Sequence, residues 1–120
     1  MHPITADKLA AQKCVPCEGG VDQLTPEQAN EYRQAVTSWE LDQNATLIYR
    51  KVNCKTFVRA VEMINQITEV AEREQHHPDL HLTGYRHLKI VLTTHAIGGL
   101  SENDFILAAQ IDRIIAPTDS

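Results

Sequence analysis

Residues 55–78, KTFVRAVEMINQITEVAEREQHHP, predict the longest element of the chain and the one on which the fold depends. Apolar side chains recur here at the i, i+3, i+4, i+7 spacing of an amphipathic helix with one buried face: Phe57, Ala60, Val61, Ile64, Ile67 and Ala71. Pro78 cannot continue a helix and biases the residue before it towards an extended shape. We therefore expect a helix from about residue 55 to 75 that holds His76 and His77 at its end.

The sequence before this helix predicts another helix and a hairpin. Thr25 is a typical N-cap, Pro26 suits the first helical position, and Gln28 stands where a capping box places its glutamine. This first helix should end near Val36. Two β-prone runs, separated by a turn-prone segment, then favour a hairpin: residues 39–42 and 46–52.

The sequence after the long helix predicts a second hairpin and a last helix. Residues 80–85 and 87–94 favour two strands, and the glycines that follow end them. Ser101 caps a helix that should run to about Ile115, with Asp104 in the reciprocal position of a capping box. The order helix-strand-strand-helix-strand-strand-helix predicts an α+β, two-layer sandwich. Its four-stranded antiparallel sheet would carry three helices on one face.

Length and composition limit the class of protein. A chain of 120 residues, 42% hydrophobic and 22% charged, is typical of a single globular domain over residues 1–120. The net charge of −5 argues against nucleic-acid binding, which needs clustered Lys and Arg. No apolar run reaches the roughly 20 residues of a membrane helix, and the first residues lack the pattern of a secretion signal. We expect a cytoplasmic protein with no membrane partner.

Residues 1–23 contain several helix breakers and favour an irregular N-terminal arm with one helical turn around residues 6–12. The arm holds a single C-x-x-C motif, Cys14-Val-Pro-Cys17. A zinc site needs four ligands, so it would require Cys54 and a histidine such as His2 as well. A redox motif would begin a helix in a βαβ unit, whereas glycines follow here. We favour reduced thiols in an ordered loop over metal or redox chemistry.

The histidines are concentrated around the end of the long helix. Four of the six, at positions 76, 77, 81 and 87, fall within twelve residues, and imidazole is suited to proton transfer near neutral pH. A set spanning 33 residues resembles the signature of the pterin-4a-carbinolamine dehydratases, also called 4a-hydroxytetrahydrobiopterin dehydratases: Glu72, His76-His77-Pro78, Tyr85, His95 and Asp104. The order of elements over residues 24–115 and the run Cys-x-Pro-Cys-Glu-Gly-Gly extend the resemblance.

The resemblance implies an activity: loss of water from a 4a-hydroxytetrahydropterin to give the quinonoid dihydropterin. This reaction recycles the cofactor of aromatic amino acid hydroxylases, so such a hydroxylase is an implied partner. No metal and no organic cofactor are implied. Animal members also act as dimerisation cofactors of a homeodomain transcription factor, and some similar proteins are assembly factors without catalysis. A non-catalytic interaction protein on the same fold is therefore the alternative function.

The resemblance also implies that His76, His77 and His95 line the pterin pocket. Glu72 and His76 have i, i+4 spacing on the predicted helix, so we expect Glu72 to orient His76 as the leading acid/base residue. His95 is expected to take the complementary proton transfer, and His77 to bind the polar edge of the pterin. Neighbouring residues should complete the pocket: Gln75, Pro78, Thr93, Thr94 and the backbone at Ala96.

Two further residues of the motif and two histidines outside it are expected to support the structure or to lie at the surface. Tyr85 favours the core or the wall of the pocket. Asp104 is expected to be a structural carboxylate at a helix N-terminus, where the helix dipole stabilises it. His81 and His87 fall outside the motif, and we expect them on strand surfaces or in loops.

Self-association is expected because a sheet covered on one face leaves the other face and two edges open. The resemblance implies dimers, some of which pair into tetramers. The last helix carries more apolar residues than one buried stripe requires, so we expect it to offer a second contact surface: Ile106, Leu107, Ile111, Ile114 and Ile115. The predicted state is a homodimer at least, with a homotetramer as the alternative.

Overall fold

A computed structural model describes residues 4–14 and 22–115 of the chain. Within them the elements are α1 Ala6–Ala11, α2 Pro26–Arg33, β1 Glu40–Leu41, β2 Ile48–Asn53, α3 Phe57–Glu74, β3 Asp79–Thr83, β4 His87–Leu92 and α4 Glu102–Ile115. A 3₁₀ turn, His95–Ile97, precedes α4 and was not predicted. The predicted order and the α+β class are confirmed, and α1 matches the helical turn expected in the arm. No helix in the described ranges is long and apolar enough to cross a membrane.

The strands form one antiparallel sheet in the order β1-β2-β4-β3. Both predicted hairpins are present, and β2 and β4 join them at the centre of the sheet. The capping box of α2 forms as predicted between Thr25 and Gln28. Alternate residues of the two central strands are buried on the helical side: Ile48, Val52, Leu88, Ile90 and Leu92. The other face of the sheet carries exposed, mostly polar side chains.

The last helix, α4, lies inside the helical layer rather than at its surface. Both α1 and α3 contact it, and Leu9 of α1 is buried in the shared core. Of the apolar residues expected on a second contact surface, only Ile114 is half-buried, and the others are at most 2% exposed: Ile106, Leu107, Ile111 and Ile115. The prediction of an apolar surface on α4 is therefore wrong, because the N-terminal arm and α3 pack on this helix.

The long helix, α3, has a buried line and a separate exposed apolar patch. The buried line runs through Ala60, Met63, Ile67, Ala71 and Glu74. Phe57 and Val61, which the periodicity assigned to the buried face, are 55% and 39% exposed, beside Val58 at 65%. At about 100° per residue they lie to one side of the buried line. The helix has two apolar sides, and the spacing alone did not show which one faces the core.

One polar cluster joins the core side of the sheet to α4. The Nη1 atom of Arg50 lies 2.6 Å from Oδ1 of Asp112, and Trp39 Nε1 donates to the same oxygen at 2.7 Å. Burial raises the pKa of Asp112 above its ordinary value, although both donors act in the opposite direction. The cluster joins the last turn of α4 to the sheet at β2.

Candidate active site

The end of α3 determines where the histidine pair points. Gln75, the C-cap, has left-handed backbone angles of φ 55° and ψ 38°. The backbone N–H groups of Gln75 and His76 both donate to the carbonyl of Ala71, the pattern of a left-handed helix cap. The chain therefore leaves the helix before His76. Glu72 and His76 are four residues apart in sequence but do not lie on one helical face. The predicted Glu72–His76 pair is wrong.

His76 pairs with Asp104 instead. Its Nε2 lies 2.6 Å from Oδ1 of Asp104, and the two side chains are 7% and 0% exposed. The other carboxylate oxygen, Oδ2, accepts from the Thr94 hydroxyl at 2.8 Å and from the Ser101 backbone N–H at 3.0 Å. The bond from Ser101 confirms the predicted reciprocal position of Asp104 in the capping box. The same carboxylate therefore caps α4 and fixes the ring of His76.

Glu72 pairs with the second histidine, His77. The distance between Glu72 Oε2 and His77 Nε2 is 2.5 Å, and the two side chains are 64% and 58% exposed. In a neutral imidazole, a carboxylate that accepts from one ring nitrogen fixes the tautomer. The other ring nitrogen is then the hydrogen-bond acceptor. Each member of the histidine pair thus has its own carboxylate, one buried and one in solvent.

The third histidine of the motif, His95, lies in the chain segment that follows β4. It begins the 3₁₀ turn directly after Thr94, whose backbone N–H donates to the carbonyl of Gly99 at 2.9 Å. The Thr93 hydroxyl donates to the carbonyl of Thr46 at 2.6 Å, which ties the end of β4 to the first hairpin. These contacts hold the turn, while the His95 side chain is exposed.

The three histidines share a pocket of about 200 Å³. Its lining contains every residue expected to bind substrate except Pro78: Gln75, His76, His77, Thr93, Thr94, His95 and Ala96. Pro78 lines an adjacent cavity of about 110 Å³ together with Glu72 and His77. The structure thus brings together side chains from the end of α3, the end of β4 and the turn before α4. The pocket carries imidazoles, hydroxyls and an amide, groups that exchange protons and bind the edge of a heterocycle.

Three of the remaining predicted residues lie away from this pocket. Tyr85 sits in the β3–β4 turn with φ 56° and is 56% exposed, with the Arg86 guanidinium 5.5 Å from its ring centre. It is neither in the core nor in the pocket wall, so that expectation is wrong. His81 and His87 lie on the exposed face of the sheet, as predicted.

Sequence reasoning missed Glu74, a buried carboxylate two residues before His76. It accepts from the Cys14 backbone N–H at 2.8 Å, from Arg73 Nε at 3.2 Å and from Gln110 Nε2 at 3.3 Å. Burial alone would raise the pKa of this carboxyl, but the three donors hold it below its ordinary value. Glu74 stands three residues after Ala71, at helical spacing along the buried line of α3. This spacing was the sign in the sequence that its carboxylate is buried.

Two residues of the possible metal or redox site in the arm, Cys17 and His2, lie outside the described residues. Cys14 is described; its Sγ lies 3.6 Å from the carbonyl of Asn103, next to Asp104. Cys54 is buried, 3.8 Å from the Met63 sulfur, and burial raises the pKa of its thiol. Residues 4–14 and 22–115 contain no group of three potential metal ligands.

Comparison with known proteins is consistent with this site. The family model described as pterin 4 alpha carbinolamine dehydratase matches residues 22–114. A Halorhodospira halophila protein assigned by name to these dehydratases is 45% identical over 106 residues, which cover 88% of this chain and 96% of that protein. The mitochondrial pterin-4-alpha-carbinolamine dehydratase 2 of Arabidopsis thaliana is 41% identical over 88% of this chain and 58% of its own length.

A solved structure extends the likeness to the fold. The transcriptional coactivator/pterin dehydratase of Brucella melitensis superposes with a TM-score of 0.72 at 28% identity. The superposition covers 78% of this chain and 98% of that one. The sheet, the helices and the histidine-lined pocket thus accompany a sequence match over most of the chain, and we conclude that this protein belongs to the pterin-4-alpha-carbinolamine dehydratase family.

Proposed function

We propose that this protein removes water from a 4a-hydroxytetrahydropterin and releases the quinonoid dihydropterin. One observation carries the proposal: His76, His77 and His95 converge on one pocket from two chain segments, with His76 held on a buried carboxylate. The family membership supports the same reaction class. The physiological role would be recycling of the pterin cofactor of an aromatic amino acid hydroxylase, and the cytoplasm stays the expected location.

The reaction needs two proton transfers. An acid protonates the hydroxyl on C4a, so that the C4a–O bond breaks with water as the leaving group. A base removes the proton from N5, and the electron pair of the N5–H bond forms the new double bond to C4a. One proton is given and one is taken, so a pair of imidazoles can complete the cycle without an external reagent.

We assign the proton transfers to His76 and His95, with a change in the residue that positions His76. Asp104 takes the orienting role first predicted for Glu72, because it is rigidly held by Thr94 and Ser101. A fixed carboxylate on Nε2 keeps the ring in one tautomer and one orientation. His95 lines the same pocket from a different chain segment, which suits transfer at the other reacting atom.

His77, oriented by Glu72, is assigned to binding. Its pair with Glu72 is exposed on both sides, and exposed pairs are weak because solvent screens them. Such a pair can direct a ring nitrogen at the polar edge of the pterin. Gln75, Thr93 and the backbone at Ala96 supply further polar groups along the same pocket.

The test measures quinonoid dihydropterin formation from a chemically generated 4a-hydroxytetrahydropterin. His76→Ala and His95→Ala should each slow turnover by about 10²–10⁴-fold, the range for a positioned acid or base, and the double variant should be slower than either. His81→Ala and His87→Ala are matched controls on the sheet face and should stay within about threefold of the wild type. Near wild-type turnover in both single variants of the first pair would contradict the assignment.

We also propose that the protein forms a homodimer, with a tetramer as the alternative. Support comes from the exposed patch of Phe57, Val58 and Val61 on α3 and from β1 and β3, the edge strands of the sheet. The same patch supports the alternative function, a non-catalytic interaction protein on the same fold, which would not require the histidines. Light scattering at low micromolar concentration tests assembly, and the mass of a single chain would contradict it.

A further inference from the structure

The open face of the sheet presents its side chains in rows that cross the strands. The register of β2, β4 and β3 places Lys51, Lys89 and His81 side by side in one row. The next row, two residues along each strand, consists of Asn53, His87 and Thr83. All six belong to the exposed side of their strands. Two lysines and two histidines therefore occupy adjacent positions on one surface of a chain whose net charge is −5.

The two lysines have no carboxylate partner among the described residues. They are directly opposite each other on neighbouring strands, an arrangement in which like charges destabilise the sheet. Both ammonium groups lie near the Tyr49 ring, Lys89 at 4.9 Å and Lys51 at 5.9 Å from its centre. The ring offsets some of the repulsion, but it supplies no negative charge.

These two rows line a depression of about 510 Å³. Its polar side chains are ammonium, imidazole, hydroxyl and amide groups, and no carboxylate lines it. The acidic residues of this sheet face, Glu40 and Asp79, belong to the row on the other side of the lysines, with Tyr49 and Val91. Positive charge and hydrogen-bond donors are therefore concentrated at one end of the face.

We propose that this depression binds a small anion that carries two or three linked phosphate groups. Neighbouring strands lie about 4.8 Å apart, so the row from Lys51 to His81 spans about 10 Å. That length exceeds a single phosphate and suits a short phosphate chain lying across the strands. Lys51 and Lys89 bind the phosphate oxygens as point charges, and the row of Thr83, His87 and Asn53 supplies donors beside them.

The proposed anion site is separate from the pterin pocket. Lys89 and Thr94 are five residues apart along β4 and its extension, which corresponds to about 17 Å of strand. The pterin pocket also lies beyond the end of β4, whereas the depression lies on the open face. None of the residues lining the depression belongs to the histidine-lined pocket.

The experiment titrates the full chain with inorganic triphosphate by calorimetry in about 0.05 M salt, where screening is weak. We expect saturable binding that weakens about tenfold in Lys89→Gln and about 100-fold in Lys51→Gln with Lys89→Gln, since each charged hydrogen-bonding group contributes about a factor of ten. Lys8→Gln removes an equal charge from the exposed side of α1 and should stay within about twofold of the wild type.

Two further measurements show whether a loss of triphosphate binding in the double variant comes from unfolding or from damage to the pterin pocket. The melting temperature of the double variant should equal or exceed that of the wild type, because the repulsion between the lysines is gone. Pterin dehydration should be unchanged. The proposal is overturned by an absence of saturable triphosphate binding, by equal binding in the double variant, or by binding of a short single-stranded oligonucleotide that is tighter than triphosphate binding.

Discussion

His76 and His77 are consecutive residues, yet each pairs with a carboxylate in a different environment. The side chains of His76 and Asp104 are 7% and 0% exposed, whereas those of His77 and Glu72 are 58% and 64% exposed. The buried pair joins residues 28 positions apart, and the exposed pair joins residues five positions apart. Both have short contacts, so distance alone does not distinguish them.

The difference shows that burial, and the other partners of each carboxylate, decide what a histidine–carboxylate pair does. Asp104 has three donors from three segments of the chain, so removing it leaves several buried polar groups without an acceptor. Glu72 has solvent around it and can be replaced by water. We expect the first pair to contribute to folding and catalysis and the second to contribute to substrate binding.

The largest effect is expected from Asp104→Ala. It should lower the free energy of unfolding by about 2–4 kcal/mol, because it leaves the buried donors of His76, Thr94 and Ser101 without their acceptor, and urea denaturation measures this loss. Asp7→Ala removes a carboxylate from the exposed Asp7–Arg113 pair and should cost less than about 0.5 kcal/mol. Equal effects in these two variants would remove the distinction between buried and exposed pairs.

The variant Asp104→Asn distinguishes two roles of Asp104, the orientation of the His76 ring and the stabilisation of the fold. The amide oxygen can still accept from Thr94 and Ser101, while its NH₂ group would face His76 Nε2 and disfavour the present tautomer. We expect much of the stability to be retained and kcat to fall by about 10–100-fold, the usual loss for a residue that orients an acting side chain. An unchanged kcat would show that Asp104 serves only the helix cap.

A moderate effect is expected from Glu74→Gln, which changes a second buried carboxylate near His76. The depressed pKa of Glu74 means that its contribution to stability is present above the unfolded carboxyl pKa and is lost as the pH falls through the folded pKa. Urea denaturation should show a loss of about 1–2 kcal/mol at pH 7. The difference from the wild type should shrink below about pH 4.

The pH profile of kcat in Glu74→Gln gives a second test of the role of Asp104. Glu74 accepts from Cys14 and Gln110, whereas His76 is held by the carboxylate of Asp104. Glu74→Gln should therefore leave the pH profile of kcat unchanged, whereas Asp104→Asn should alter it. A shifted profile in Glu74→Gln would mean that the packing of the arm against α3, rather than the Asp104 contact, sets the behaviour of His76.

Much of the fold could be predicted because its signals are local. The Thr25–Gln28 capping box and the turn of the first hairpin each depend on residues a few positions apart, and both form as predicted. The helix α3 also forms as predicted, although Phe57 and Val61 are exposed. The burial of α4 could not be predicted, because it depends on α1, which lies about 100 residues earlier in the chain. Periodicity gives the apolar sides of a helix but not what covers them.

The composition of the site was predictable, and its internal pairing was not. The resemblance and the positions of the histidines predicted residues that the structure brings together in one pocket, since each is a motif residue or lies within two residues of one. The Glu72 pairing was wrong because Gln75, a residue without the conformational freedom of glycine, adopts a left-handed cap. The Asp104 contact with His76 links the ends of two helices through tertiary packing, and spacing along the chain contains no sign of it.

The smallest effect is expected from Glu72→Gln. Removing the charge of Glu72 should lower the free energy of unfolding by less than about 0.5 kcal/mol. Water can take the place of this exposed carboxylate, and salt already screens its attraction to His77. The amide oxygen can still accept from His77, so kcat should change by less than about threefold, within the range of residues away from the reacting atoms. The change should appear instead in KM for the 4a-hydroxytetrahydropterin, because His77 would be held less firmly at the edge of the substrate.

Steady-state kinetics of the wild type and Glu72→Gln at two salt concentrations measure kcat and KM, and the wild-type KM should approach that of the variant as the salt concentration rises. A loss of kcat as large as that of Asp104→Asn would instead give the exposed pair a part in the proton transfers.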